Sequence, residues 1–257
     1  MQRRSVVVVG LTVLLSSLVG CTGSTAVPVP TVAATSTAPP VQPTSTITAT
    51  PSLAPPNVIG MGVDQASGRI QDAQCSVSAE HIVNEPGTHV GQVVAQKVVS
   101  AYCEVALTVS AGPPPSSLAT CHSLAVHEGR NGVGMGNFGA TLIFRNIGPA
   151  PCTLQGYPDL TAREQGSSKT ITARHTPLGY MGGTNEPVPT YVLLTGDSVS
   201  VLYEETDNPT GGQTTCPRLG DYRITAGGRT TTLPVTGLNC SGIEIHPYVP
   251  GTSGSAP

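Results

Sequence analysis

The spacing of apolar residues changes character several times along the 257-residue chain. From Val6 to Val19 the run is apolar, broken only by small or hydroxyl residues. Over residues 22–56 all period is lost: Thr, Ser, Pro, Ala and Val dominate and no charged residue occurs. Such a stretch cannot bury enough apolar surface to offset the entropy of ordering it, so it reads as a disordered tether. Order is expected from Asn57. Val63, Ala66, Ile70 and Ala73 recur at helical spacings with polar residues between them, which predicts a helix over residues 63–73. A short strand over residues 56–61, ending at Gly60, is expected ahead of it. Cys75, Ser76 and Val77 should start a second strand, and residues 90–98 a strand or extended segment. Val105, Leu107 and Val109 alternate with Glu104, Ala106 and Thr108 as a half-buried strand does. The order is β-α-β-β.

A Pro/Ser cluster at residues 113–117 breaks the pattern, and beyond it no helical period survives. Leu124 and Val126 share one strand face, and Ala140, Leu142 and Phe144 another. Val199, Val201 and Tyr203 alternate, as do Tyr222, Ile224 and Ala226. Leu233 and Val235 follow the Gly227-Gly228 pair, and Ile243 and Ile245 close the series. Two glycines supply the positive-φ positions of a tight turn, so the clearest hairpin is expected at Gly227-Gly228. Many short strands with regular turns predict an antiparallel sandwich. The body divides into residues 57–112 and 118–248, followed by a flexible Gly/Ser tail over 249–257.

The N-terminus has the layout of an export signal: Arg3 and Arg4, an apolar run too short for the ~20 residues a spanning helix needs, then small residues. Its end, Leu18-Val19-Gly20-Cys21, resembles the lipobox of bacterial lipoproteins. That resemblance implies a diacylglycerol on Cys21, cleavage that removes residues 1–20, and a membrane anchor on the outer face. Two acyl chains hold stably where one is marginal. Losing Arg3 and Arg4 takes the net charge from −3 to about −5. The absence of a basic stripe argues against nucleic acid. The tether is a spacer, bare or O-glycosylated.

Export favours disulfides among the six cysteines left after Cys21. No two of them form a C-x-x-C pair, so neither a zinc site nor a thioredoxin-like motif is expected. Cys216 and Cys240 lie at nearly equal distances from Gly227-Gly228 and should meet at the open end of that hairpin. Cys121 starts one strand and Cys152 follows the strand ending near Asn146, so these two should pair if those strands run antiparallel.

Pro56-Asn57-Val58-Ile59-Gly60-Met61, the helix through Asp64-Gln65-Ala66, the Gly91–Gln96 stretch and the closing Val105–Gly112 stretch together resemble a PASTA domain. These modules occur in penicillin-binding proteins and in the outer part of bacterial Ser/Thr kinases. The resemblance implies a wall-binding module for residues 57–112, with peptidoglycan fragments as ligand. Cys75 stands where that family places a core aromatic, and Cys103 shares a face with Val105. A bridge between them would contribute about 3–4 kcal/mol by restricting the unfolded chain.

A second resemblance covers the larger unit. Cys121, Leu142-Ile143-Phe144-Arg145-Asn146-Ile147-Gly148, Cys152-Thr153-Leu154-Gln155-Gly156-Tyr157-Pro158, Cys216 and Cys240 are similar to an uncharacterised domain of actinobacterial lipoproteins and secreted proteins. It implies an immunoglobulin-like sandwich and no established activity.

Catalytic and metal chemistry find little support. His122 and His127 lie on opposite strand faces and cannot share a metal. His81, His89, His175 and His246 are expected on the surface. Glu204 and Glu205 are adjacent on a strand and face opposite ways, and Asp64 and Asp72 are two helical turns apart, so neither pair suits acid–base work. No G-x-S-x-G elbow or S-x-x-K is present, and Gly132–Gly139 lacks the lysine and context of a phosphate cradle. The loop over residues 164–190, with Arg174, His175, Tyr180, Met181 and Gly182-Gly183, is long enough to be a binding loop or a variable connection.

The expected fold is therefore mainly β: a small β-α-β-β module and a disulfide-stapled antiparallel sandwich after a disordered tether. The expected function is that of a non-enzymatic envelope lipoprotein without catalytic residues, cofactor or metal, binding peptidoglycan through residues 57–112. Two alternatives stand beside it. One is an accessory of cell-wall synthesis or signalling complexes with envelope-protein partners. The other is a small-ligand carrier or an enzyme using the 164–190 loop.

Overall fold

A computed structural model describes residues 54–209, 212 and 214–256. The expected signal segment, Cys21 and all but the end of the tether lie outside the described residues. Helix α1 (Val63–Asp72) forms where the apolar spacing predicts it and buries Val63, Ala66 and Ile70. Asp64 in its first turn complements the partial positive charge of the helix start. Gln74, at φ 59°, turns the chain out of the helix. Strands β1 (Ser76–Val83), β2 (Val93–Val98) and β3 (Glu104–Ser110) follow.

Strand β3 lies in the middle of this small sheet, parallel to β1 and antiparallel to β2. Its fully buried Val105, Leu107 and Val109 share a core with the apolar face of α1 and with Val58. The Cys75–Cys103 disulfide joins the entry of β1 to the entry of β3, with Cα atoms 4.8 Å apart. The strand expected over residues 56–61 is absent. Met61 N–H bonds back to the Val58 carbonyl and Gly60 takes φ +86°, so this segment curls into a turn with a single bridge at Gly62 and Gln92.

The rest is built from short strands: β4 (Leu124–Gly134), β5 (Asn137–Asn146), β6 (Cys152–Leu154), β7 (Asp159–Glu164), β8 (Thr170–Thr172), β9 (Arg174–His175), β10 (Tyr191–Leu193), β11 (Ser198–Thr206), β12 (Arg218–Ala226), β13 (Arg229–Leu233), β14 (Gly237–Leu238), β15 (Ile243–Ile245) and β16 (Val249–Pro250). One sheet runs β4-β5-β11-β15-β9, with β16 also on β11. The second runs β13-β12-β7-β8, with β14 on β12. Strands β6 and β10 form a separate pair.

The inward positions of the two large sheets alternate as the sequence predicts. Leu142 and Phe144, Val201 and Tyr203, Leu160, and Tyr222 and Ile224 pack into one core. Leu219 also faces inward although it lies an odd number of residues from Tyr222. A bulge in β12, with Asp221 at φ 49°, takes up the extra residue. The predicted hairpin forms at Gly227-Gly228, both glycines at positive φ, and a Cβ on Gly227 would overlap the Cys121 carbonyl. Cys121–Cys152 and Cys216–Cys240 pair as expected.

The described residues form one compact unit, so the small module is docked on the sandwich. Val192 N–H bonds to the Ala111 carbonyl, and Asn84 donates to the Thr190 carbonyl at 3.1 Å. Ile82 and Val90 of the small module pack on the sandwich core. Gly112 at φ +88° passes so close to Val192 that any side chain there would meet the Val192 carbonyl.

Residues 249–256 are packed rather than a loose tail. Val249 and Pro250 pair with β11, Gly254 N–H bonds to Ser200 Oγ, and Ala256 is 5% exposed. Thr252 reaches α1, where Asp64 accepts its N–H and hydroxyl at 2.9 and 3.0 Å. Sheet residues beneath this segment, such as Thr141 and Ser200, are small and polar, and they satisfy its backbone groups.

Candidate functional site

Strand β11 is buried on both faces, and its two glutamates define the polar chemistry of the sandwich. Glu204 points to the outer face. The loop after β9 folds over it, and its carboxylate accepts N–H bonds from Tyr180, Met181 and Gly182 at 3.0, 2.7 and 3.2 Å. Its fourth partner is His246 Nε2, at 2.9 Å. The other ring nitrogen, Nδ1, lies 3.0 Å from the Thr176 carbonyl. His246 is fully buried, contrary to the surface position expected for it. A histidine–carboxylate pair has the residue types of acid–base catalysis. Here both members are buried and the carboxylate is filled by backbone donors, so the arrangement clamps the loop.

The 164–190 loop is thus fastened along much of its length. Arg174 forms an ion pair with Glu244, and His175 stacks on Tyr157 with ring centroids 4.7 Å apart. Met181 packs over Gly132 and Gly139, where the absence of side chains leaves room. Tyr180 stays half exposed and donates its hydroxyl to the Met135 sulfur.

Glu205 points the other way, into the core between the sheets. It is 2% exposed and accepts a hydrogen bond from Tyr222, while its Oε2 has no partner among the described residues. Burial pushes its carboxyl up to about 7, against the lowering effect of the Tyr222 hydrogen bond. Gly237 lies against this pair: a Cβ there would fall 2.2 Å from Oε2. Sequence reading placed the two glutamates on opposite faces, as they are. It could not show that both faces are covered, because the covering segments carry no apolar period.

The Asn146-Ile147-Gly148 motif has a structural role. The Asn146 side chain is 1% exposed. Its amide donates to the Ala150 and Leu193 carbonyls at 3.0 Å, and its oxygen accepts Gly148 N–H at 2.9 Å. It closes the turn that carries the chain from β5 to Cys152.

Concave surface is found elsewhere. On the small module, Pro55, Asn57, Ile59, Gln96 and Val98 line a groove of about 320 Å³. Gln96 is already committed, accepting Val58 N–H and donating to the Pro56 carbonyl. Ile59 and Val98 are 53% and 51% exposed, and the turn after β2 carries Tyr102 at 88%. Of the predicted site residues, the six body cysteines are therefore disulfide-bonded, while Cys21 lies outside the described residues.

No curated protein matches the chain. The family model described as a domain of unknown function, DUF4232, matches residues 120–248, just over half the chain, from the residue before Cys121 to Tyr248, the last residue of the sandwich core. Through that sandwich the chain belongs to the DUF4232 family.

Proposed function

We propose that this is an extracytoplasmic lipoprotein, held to the membrane by a lipid on Cys21, that binds peptidoglycan through its small PASTA-like module. The observation that carries the reading is the groove between Ile59 and Val98, with Tyr102 close by in sequence. Exposed apolar side chains beside polar ones mark contact surfaces. An exposed phenol offers a flat apolar face and a polar edge, which suits a sugar ring. The Thr/Pro-rich segment between Cys21 and the body is long enough in sequence to carry such a surface toward the wall.

The test is co-sedimentation with purified peptidoglycan. The intact chain is expected to pellet with it, and Tyr102→Ala combined with Ile59→Ser to reduce the bound fraction severalfold while leaving the melting curve in place. Failure of the unaltered protein to pellet would refute wall binding. For the anchor, Cys21→Ala should move the protein out of the detergent phase.

A protein partner in the envelope is the second reading, and a separate surface favours it. Val133 and Met135 at the β4–β5 hairpin are 82% and 83% exposed, next to half-exposed Tyr180. Val133→Asp should abolish specific crosslinks that survive peptidoglycan digestion.

A further inference from the structure

A cleft of about 380 Å³ opens where α1, β1, β4 and residues 249–256 meet, and neither module forms it alone. Glu80 of β1 lines it while being 4% exposed. In register with Leu107, it sits on the helix-facing side of the small sheet. Among the described residues nothing donates a hydrogen bond to its carboxyl and no cation pairs with it. A buried carboxylate without a donor is costly, and one left facing an open cleft is set to take its donor from a ligand.

Asp64 also lines the cleft and adds negative charge close to Glu80, its Oδ2 already anchored by Thr252. Arg130 of β4 is the cation of the cleft, and no carboxylate pairs with it among the described residues. Ser67, Ser253 and Ser255 add hydroxyls. Volume and lining suit a small polar ligand that carries both charges.

We infer that this cleft binds a small zwitterion, a free amino acid or short peptide, with its ammonium group on Glu80 and its carboxylate on Arg130. An ammonium supplies the missing donors to the buried carboxyl, and the guanidinium fork grips a carboxylate. The site shares no lining residue with the Ile59–Val98 groove, so it stands or falls independently of wall binding.

The test is calorimetric titration of the full-length protein with glycine, glycylglycine and triglycine, each also N-acetylated and C-amidated. At least one free zwitterion should bind, and each blocked form should bind roughly tenfold or more weakly. In Glu80→Gln, acetylation should cease to matter; in Arg130→Ala, amidation should cease to matter. Glu80→Gln removes a buried charge at constant shape, and a melting curve confirms that it folds. No saturable binding of any free probe overturns the inference, as does binding indifferent to the blocking groups. Block-sensitive binding unchanged in both variants places the ligand elsewhere and overturns it too. Peptidoglycan co-sedimentation by Glu80→Gln should match the unaltered protein.

Discussion

Asp197 of the sandwich and His89 of the small module meet at 2.7 Å, carboxylate oxygen to ring nitrogen. The Asp197 side chain is 7% exposed, and its second oxygen also accepts Val90 N–H at 3.2 Å and Leu194 N–H at 3.1 Å. One carboxylate thus ties the loop between β1 and β2 to the turn that enters β11.

Asp197→Ala leaves two backbone donors without this acceptor at a packed junction. The expected loss is about 2–3 kcal/mol. Hydrogen exchange should show the change first at the amides of Val90 and Leu194, while the α1 core exchanges as before. Uniformly faster exchange throughout would contradict the placement of this carboxylate at a local junction.

Glu80 and Glu205 set the pH dependence of stability. Each carboxyl is pushed up to about 7, Glu80 by burial and then by repulsion from Asp64, Glu205 by burial. The folded chain therefore holds protons that the unfolded chain releases above its ordinary carboxyl value of 4.5. The contribution is fully present below that value and is lost as pH rises through about 7. The melting temperature should fall between mildly acidic and mildly alkaline buffer. Glu80→Gln with Glu205→Gln should flatten that slope, read by circular dichroism since the chain has no Trp.

Glu204→Ala removes the acceptor for three loop amides at once. The amides of Tyr180, Met181 and Gly182 should lose protection, and proteolytic nicking between residues 176 and 184 should rise at least tenfold. Unchanged nicking would mean that packing of Met181 on Gly132 and Gly139 holds the loop without the carboxylate.

Asn146→Ala should cost about 2–3 kcal/mol, because the turn to Cys152 loses two donors and an acceptor in a buried place. Asn146→Asp keeps the acceptor for Gly148 and fails at the Ala150 and Leu193 carbonyls, so it too should destabilise. Chemical denaturation of both variants measures the difference.

Much of the fold was legible because it rests on short-range pattern. Val63, Ala66 and Ile70 marked α1, and Gly227-Gly228 marked its hairpin. The pairing of Cys216 with Cys240 followed from their distances to that turn. Their offset of one residue is absorbed between Leu233 and Gly237, where the return strand takes four steps to three on β12.

The candidate site was less legible because its residues are joined by long-range burial. Nothing local to His246 announces that the loop ending at Thr184 covers it. Nothing near Glu80 announces Arg130 across a cleft. The strand expected over residues 56–61 failed for a local reason: Gly60 accommodates a turn that a β-rich stretch would otherwise resist. Residues 249–256 looked like a tail because Gly and Ser pack through backbone bonds, which leave no apolar pattern.

The bond from Thr252 to Asp64 spans 188 residues of chain. Contacts so distant in sequence form late, because the entropy of closing the intervening chain must be met before they contribute. If the chain is exported from its N-terminus, as proposed, the helix and its three strands can form before residues 249–256 emerge, and the cleft that Thr252 lines is incomplete until then. Until then the small module stands without the segment that bonds to Asp64.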